Sequence, residues 1–145
     1  MEIQTKKLVL SSYIKLSKLR VVELLLITTV PAMIVSIYSF PPINLIILTL
    51  IGGTLLAVSA NVLNQIFEIE QDKLMSRTSG RPLVTGEISI KRAYAFSLIV
   101  GSLGFFILYF FTTTLASLIA LSANLFYSFI YTLFLKPRTN QNIVI

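Results

Sequence analysis

The sequence predicts an all-α membrane protein of four transmembrane helices, and three observations predict it. Hydrophobic residues make up 55% of the chain and charged residues only 12%, with a mean hydropathy of +0.85, a composition outside the soluble globular range. Uncharged stretches run over Leu24–Phe40, Ile43–Phe67 and Ala93–Leu135. The last, at about 1.5 Å rise per residue, would extend roughly 64 Å, about twice a bilayer core of about 30 Å. It must fold back, and Thr112-Thr113-Thr114 is the natural turn. The spans therefore fall at roughly 22–40, 43–64, 93–111 and 115–135, with a charged loop over 65–92.

Residues 1–20 read as an amphipathic arm, with Leu8, Leu10, Tyr13, Ile14 and Leu16 able to lie in the interface while lysines face headgroups. The first span holds Glu23 about one turn inside its end and Pro31 near its middle, where the missing N–H predicts a kink. A carboxylate at that depth costs a few kcal/mol unless it pairs or faces water, so Glu23 is either functional or salt-bridged to Arg20 or Lys18. The second span carries Gly53, Ala57 and Ala60, the spacing of close helix approach, and this face continues into Asn61, Asn64 and Glu68. The third repeats the small-residue pattern at Ser97, Gly101 and Gly104. The fourth places Asn124, Tyr127, Ser128 and Tyr131 at helical spacing, more polar groups than a lipid-facing surface tolerates.

All twelve basic residues lie at one set of membrane edges: five before the first span, five in the 65–92 loop, and Lys136 and Arg138 after the fourth. The connections at Ser39–Pro42 and Thr112–Thr114 carry none. The positive-inside rule then puts both ends and the long loop on the cytoplasmic side. With no native cysteine, single-cysteine labelling tests this cleanly. An impermeant thiol reagent outside intact cells should label Ser39→Cys and Thr113→Cys and spare Ser79→Cys; the reverse pattern inverts the topology. The net charge of +6 thus points to headgroups and not to nucleic acid. The basic, interrupted first 20 residues show no signal peptide. The absence of cysteine and histidine removes disulfides, thiolate metal sites and the usual haem ligand.

The chemistry concentrates between Asn61 and Pro82. Asn64, Glu68 and Asp72 recur every four residues, so on a helix continuing the second span their oxygens form one stripe, about 6 Å of rise apart. Two carboxylates and an amide oxygen repel one another unless a cation sits between them. Mg2+ fits, since it takes oxygen ligands, keeps several waters and shares its shell with substrate phosphate. Behind the stripe come Lys73, Arg77 and Arg81, with the two arginines spaced to present forked donors to phosphate. Acidic residues with metal on one side and guanidinium groups on the other describe a diphosphate pocket at the membrane surface. A diphosphate ester carries about −3 and Glu68, Glu70 and Asp72 add as much, so binding requires the metal.

The block Asn64-x-x-x-Glu68-x-x-x-Asp72-x-x-Met75-x-Arg77-Thr78-x-x-Arg81-Pro82-Leu83 resembles the first aspartate-rich motif of the UbiA superfamily of intramembrane prenyltransferases, most closely its protohaem-farnesylating branch. Two further blocks agree: Lys18 to Met33, and Tyr131-Thr132 with Leu135-Lys136, Arg138-Thr139 and Asn142-Ile143-Val144. Gln65 stands where the superfamily often has a second acid, and Leu19 where proline is expected. The resemblance implies about half of a UbiA-type helical bundle, without the second aspartate-rich motif. It implies transfer of farnesyl from farnesyl diphosphate to a vinyl group of protohaem IX, in the inner membrane of a bacterial cell. Asn64, Glu68 and Asp72 would hold Mg2+ and act in catalysis with Arg77 and Arg81. Lys73, Arg77, Arg81 and Lys136 would bind diphosphate, and Asn61, Asn124, Tyr127 and Tyr131 would line the prenyl cavity, with Phe67 shielding the cation or serving as a core aromatic. The remaining half of the enzyme, or a second copy, would complete the site, so these residues alone should be inactive. The rivals are a UbiA-type enzyme acting on a quinone or tetrapyrrole precursor, and a small four-span transporter using Glu23.

Overall fold

A computed structural model describes residues 2–136, with side chains from Leu10 onward apart from Arg20 and Val21. The motif residues from Arg138 to Val144 lie outside these described residues, as do the side chains of Lys6 and Lys7. Helix α1 (Glu2–Ser17) leads into α2 (Leu19–Ile37), α3 (Ile43–Phe67), a short α4 (Ile69–Leu74), α5 (Ile90–Phe111) and α6 (Thr114–Leu125). The last runs on into a π-helical segment, Phe126–Leu135. Among the described residues three helices are long and apolar enough to cross a membrane: Ile43–Phe67, Ile90–Phe111 and Thr114–Leu135. A fourth passes if the bent pair Leu10–Ser17 and Val22–Ile37, at 55°, is taken as one. The protein is an all-α integral membrane protein.

The turn at the threonines forms as expected. Phe111 ends α5, and the Thr113 hydroxyl accepts from Ala116 N at 3.2 Å to cap α6, satisfying one of the orphan amides of a helix start. In the first span the sharp bend falls at Lys18 and not at Pro31, which sits within an uninterrupted α2. That helix stops at Ile37, where Tyr38 turns left-handed (φ 51°).

Helices α3 and α5 meet along small residues. A Cβ on Gly104 would stand 2.8 Å from Gly52 O and 2.9 Å from both Leu55 Cβ and Leu56 N, and one on Gly101 would stand 2.6 Å from Ser59 Oγ. Beside these glycines the Ser59 and Ser97 hydroxyls pair at 3.1 Å, and Ser97 Oγ reaches Ser59 O at 3.1 Å. In lipid, packing and interhelical hydrogen bonds of this kind hold helices together. The third-span stripe read from the sequence, Ser97, Gly101 and Gly104, lies on this seam. The second-span stripe does not: Gly52, Leu55, Leu56 and Ser59 are the α3 residues that meet α5, while Gly53, Ala57 and Ala60 lie on a neighbouring face that borders a cavity toward α2 and the fourth span.

The apolar core sits at the charged end. Leu16, Val22, Val62, Ile66, Ile69, Leu83, Ile88 and Ala93 are buried together, from α1, α2, α3, α4, the loop and the start of α5. Tyr13 of α1 packs on Phe96 of α5 with ring centroids 4.8 Å apart. Along the spans the helices present large apolar side chains outward, such as Leu24, Ile27, Leu98 and Phe110, as spans surrounded by lipid do.

Candidate functional site

The acidic stripe survives a break in its helix. Glu68 separates α3 from α4 with φ −101° and ψ 11°, yet Glu68 N still donates to Asn64 O at 3.1 Å and Asp72 N to Glu68 O at 2.8 Å. The four-residue hydrogen-bond register therefore runs through the junction, and Asn64, Glu68 and Asp72 keep one face. Asn64 and Asp72 are buried, at 3% and 4% exposure, and Glu68 is half-buried.

Each stripe residue has one oxygen matched to a cation from a different part of the chain. Lys18 Nζ lies 3.5 Å from Asn64 Oδ1. Lys136, at the end of the fourth span, pairs with Glu68. Arg81, from the loop, pairs with Asp72. The Asn64 amide is oriented by its other end, since Nδ2 donates to Thr132 Oγ1 at 3.3 Å, leaving Oδ1 toward Lys18. Burial, and next the charge of Arg81, pull the Lys18 ammonium down to about 8, against the pull of Glu68 and Asp72.

Arg81 reaches Asp72 because the chain doubles back. Met75 is extended, and successive turns bond Thr78 N to Met75 O and Arg81 N to Thr78 O, each at 3.0 Å. Buried Thr78 anchors the reversal by donating to Asp72 O at 3.0 Å. Arg77 lies in these turns and is exposed, so the two arginines do not share a helical face. Lys73 points to solvent on Glu70, Nζ to Oε1 2.7 Å, with the Glu70 side chain 81% exposed. The structure thus brings together Asn64, Glu68, Asp72, Arg81 and Lys136, adds Lys18, and leaves Lys73 and Arg77 at the surface. Glu23 is exposed on α2.

Below the stripe an apolar cavity of about 350 Å3 opens between α2, α3 and the fourth span, lined by Asn61, Asn124 and Tyr127 among aliphatic and alanine side chains. It meets a second, of about 620 Å3, at Leu25, Gly53 and Ala120, and this one continues to Phe111 and Thr113. The two apolar cavities thus lie next to each other along the spans. Asn124 also ties helices, donating to Leu56 O at 2.6 Å. Tyr131 stacks on Tyr127 with centroids 5.5 Å apart and planes at 13°. Both rings project from the π-helical segment, where Thr132 Oγ1 reaches back five residues to Tyr127 O at 2.8 Å; such widened turns recur at functional sites. Phe67 packs between Tyr94 and Phe129, at 6.5 and 5.7 Å, as a core aromatic.

Gln65 has a structural task that its sequence position did not reveal. Where α1 stops at Ser17 its last carbonyls lose their helical partners. Gln65 Nε2 donates to Leu16 O at 2.6 Å and Asn61 Nδ2 to Ser17 O at 3.3 Å. Replacing Gln65 by Leu strands a buried carbonyl and should cost about 1–3 kcal/mol, read as a lower unfolding midpoint in detergent; an unchanged midpoint would show that the cap is immaterial. Only the terminal amide of a glutamine explains this contact, and nothing in the local sequence shows that a carbonyl from 49 residues earlier waits there.

The stripe fits a hard cation. Asn64, Glu68 and Asp72 offer it only oxygen ligands, and one oxygen of each already faces a protein cation. Among the described residues no cluster of three or more Asp, Glu, His or Cys is found, so water and substrate phosphate would complete the shell.

The UbiA prenyltransferase family matches residues 25–145. The chain is 47% identical over 133 residues to a protein named protoheme IX farnesyltransferase from Pseudarthrobacter chlorophenolicus, covering 92% of this chain and 42% of that one. It is 46% identical over 136 residues to protoheme IX farnesyltransferase 1 of Saccharopolyspora erythraea, covering 94% and 44%. Against the protein of that name from Leifsonia xyli subsp. xyli it is 46% identical over 133 residues, covering 92% and 43%. The chain therefore spans less than half the length of these curated relatives. No solved structure matches it.

Proposed function

The chain belongs to the UbiA prenyltransferase family, and on that premise we propose that the full-length protein is a Mg2+-dependent transferase moving farnesyl from farnesyl diphosphate to a vinyl group of protohaem IX. One observation carries the reading: an oxygen stripe, each member facing a cation, begins about one helical turn beyond Asn61, which lines an apolar cavity between spans. The names of the relatives supply the acceptor and the prenyl chain.

Asn64, Glu68 and Asp72 would hold Mg2+, which when bound supplies positive charge to the leaving diphosphate. Arg81 and Lys136, already on the stripe, would bind the phosphate oxygens as negative charge develops there, and Arg77 could join them from its exposed turn. The prenyl tail would lie along the two cavities from Asn61 toward Thr113, where apolar walls exclude the water that would quench an allylic cation. Asn124, Tyr127 and Tyr131 would border its upper end. Both ends of the described chain and the 65–92 loop are proposed to be cytoplasmic, and the rest of the protein, or a second copy, to close the open flank.

The test offers the full-length protein farnesyl diphosphate, Mg2+ and either protohaem or a quinone precursor. Farnesylated haem, absent without Mg2+, is the expected product. Transfer to the quinone precursor alone would replace this acceptor with the rival one.

A further inference from the structure

Lys18 is the cation of this site that lacks a carboxylate of its own. Arg81 is on Asp72 and Lys136 on Glu68, whereas Lys18 rests on the neutral oxygen of Asn64 at 3.5 Å. Three cations thus face two carboxylates. The surplus positive charge is held in place at a cost. Lys18 is left-handed, at φ 48° and ψ 50°, a conformation that strains a residue with a side chain and persists where surroundings over-determine it. They do so here. Fully buried Leu16 precedes it, and Gln65 and Asn61 hold the carbonyls of Leu16 and Ser17. The resulting 55° bend between the segments on either side is what aims the Lys18 side chain at the stripe.

A strained hinge that brings to the stripe an ammonium with no ion-pair partner in direct contact suits an anion that is not a protein side chain. We propose that Lys18 binds the diphosphate of the prenyl substrate, its ammonium leaving Asn64 Oδ1 for phosphate oxygens when that amide oxygen turns to the metal. This rests on the reading of the stripe as a metal–diphosphate site. Lys18 then shares the diphosphate with Arg81 and Lys136, approaching from the α1–α2 hinge while they approach from the loop and from the end of the fourth span. Its partial burial and lowered proton affinity agree with this, since a desolvated ammonium gains more from a polyanion than one in water.

The experiment is calorimetric titration of Mg2+-pyrophosphate into the full-length protein in a neutral detergent, where no lipid phosphate competes. The variants are Lys18→Met, Lys18→Arg, Lys18→Gly and, as a control of equal charge change, Lys15→Met. Met and Gly should weaken binding by about tenfold or more, and Arg should stay within about threefold of wild type, as loss and retention of a charge-assisted contact predict. Lys15→Met should bind normally. Steady-state kinetics should show the loss in KM for the prenyl diphosphate and leave KM for the acceptor unmoved. Glycine suits the left-handed backbone, so Lys18→Gly stays folded even where Lys18→Met does not. A folded Lys18→Gly protein with wild-type pyrophosphate affinity overturns the assignment while leaving the diphosphate site intact. A wild-type protein that fails to bind Mg2+-pyrophosphate overturns the diphosphate site and Lys18 with it.

Discussion

Neutralising Asp72 or Glu68 in the full-length protein, as Asp72→Asn or Glu68→Gln, should reduce prenyl transfer by about 10²- to 10³-fold, the scale of removing a group that stabilises charge developing in a transition state. Each change should also raise the Mg2+ concentration needed for half-maximal activity. Glu70→Gln should fall within about threefold of wild type, because Glu70 lies about 200° around the helix from Glu68 and its exposed side chain is engaged by Lys73 at 2.7 Å. Asp72→Asn carries a second consequence, as it leaves Arg81 beside a neutral group in a buried setting, and breaking such a pair costs about 3–5 kcal/mol. Circular dichroism must therefore accompany the assay. Equal losses at all three positions would mean that the acidic residues act through net charge and that the stripe has no functional register.

The second large effect is on assembly. Gly104→Ala places a methyl group 2.8 Å from Gly52 O and 2.9 Å from Leu56 N, both backbone atoms that have no rotamer to yield. Helices α3 and α5 must part, which for overpacking costs about 1–3 kcal/mol, and Gly104→Leu should leave no folded protein. Gly53→Ala, with nothing within 4 Å of the added carbon, should keep its unfolding midpoint, as surface substitutions change stability by about 0.5 kcal/mol at most. Unfolding midpoints in detergent separate the two. Equal behaviour of Gly104→Ala and Gly53→Ala would remove the seam as the contact that organises the bundle.

Much of this was legible because bilayers impose simple lengths. The spans, the threonine turn and the small-residue face of the third span follow from hydropathy and spacing, and the spans differ from the structure by a few residues at their ends. In the second span the close approach is made by Gly52 and Ser59 and not by Gly53, Ala57 and Ala60, because the partner that selects the face is α5, which local spacing does not reveal. The Asn64, Glu68 and Asp72 spacing was readable because the four-residue register crosses the α3–α4 break unharmed. The same spacing argument misplaces Arg77 relative to Arg81, since extended Met75 ends the helix before either residue. Lys18 read as an anchor because its place at the stripe depends on a bend held by side chains of α3, a tertiary cause with no local mark. Gln65 and Thr132 were hidden for the same reason: their partners are 49 and 68 residues away.

The partners of the stripe are also separated in time. Lys18 precedes Asn64 by 46 residues, Arg81 follows Asp72 by 9, and Lys136 follows Glu68 by 68. A ribosome adding about 5–20 residues per second delivers Arg81 to Asp72 almost at once but leaves Glu68 without Lys136 until the whole fourth span has been made. Biogenesis therefore closes the pocket in a set order, with Glu68 matched last. A nascent chain stalled before residue 136 has inserted its second and third spans and still holds an open, hydrated carboxylate where the finished protein has an ion pair.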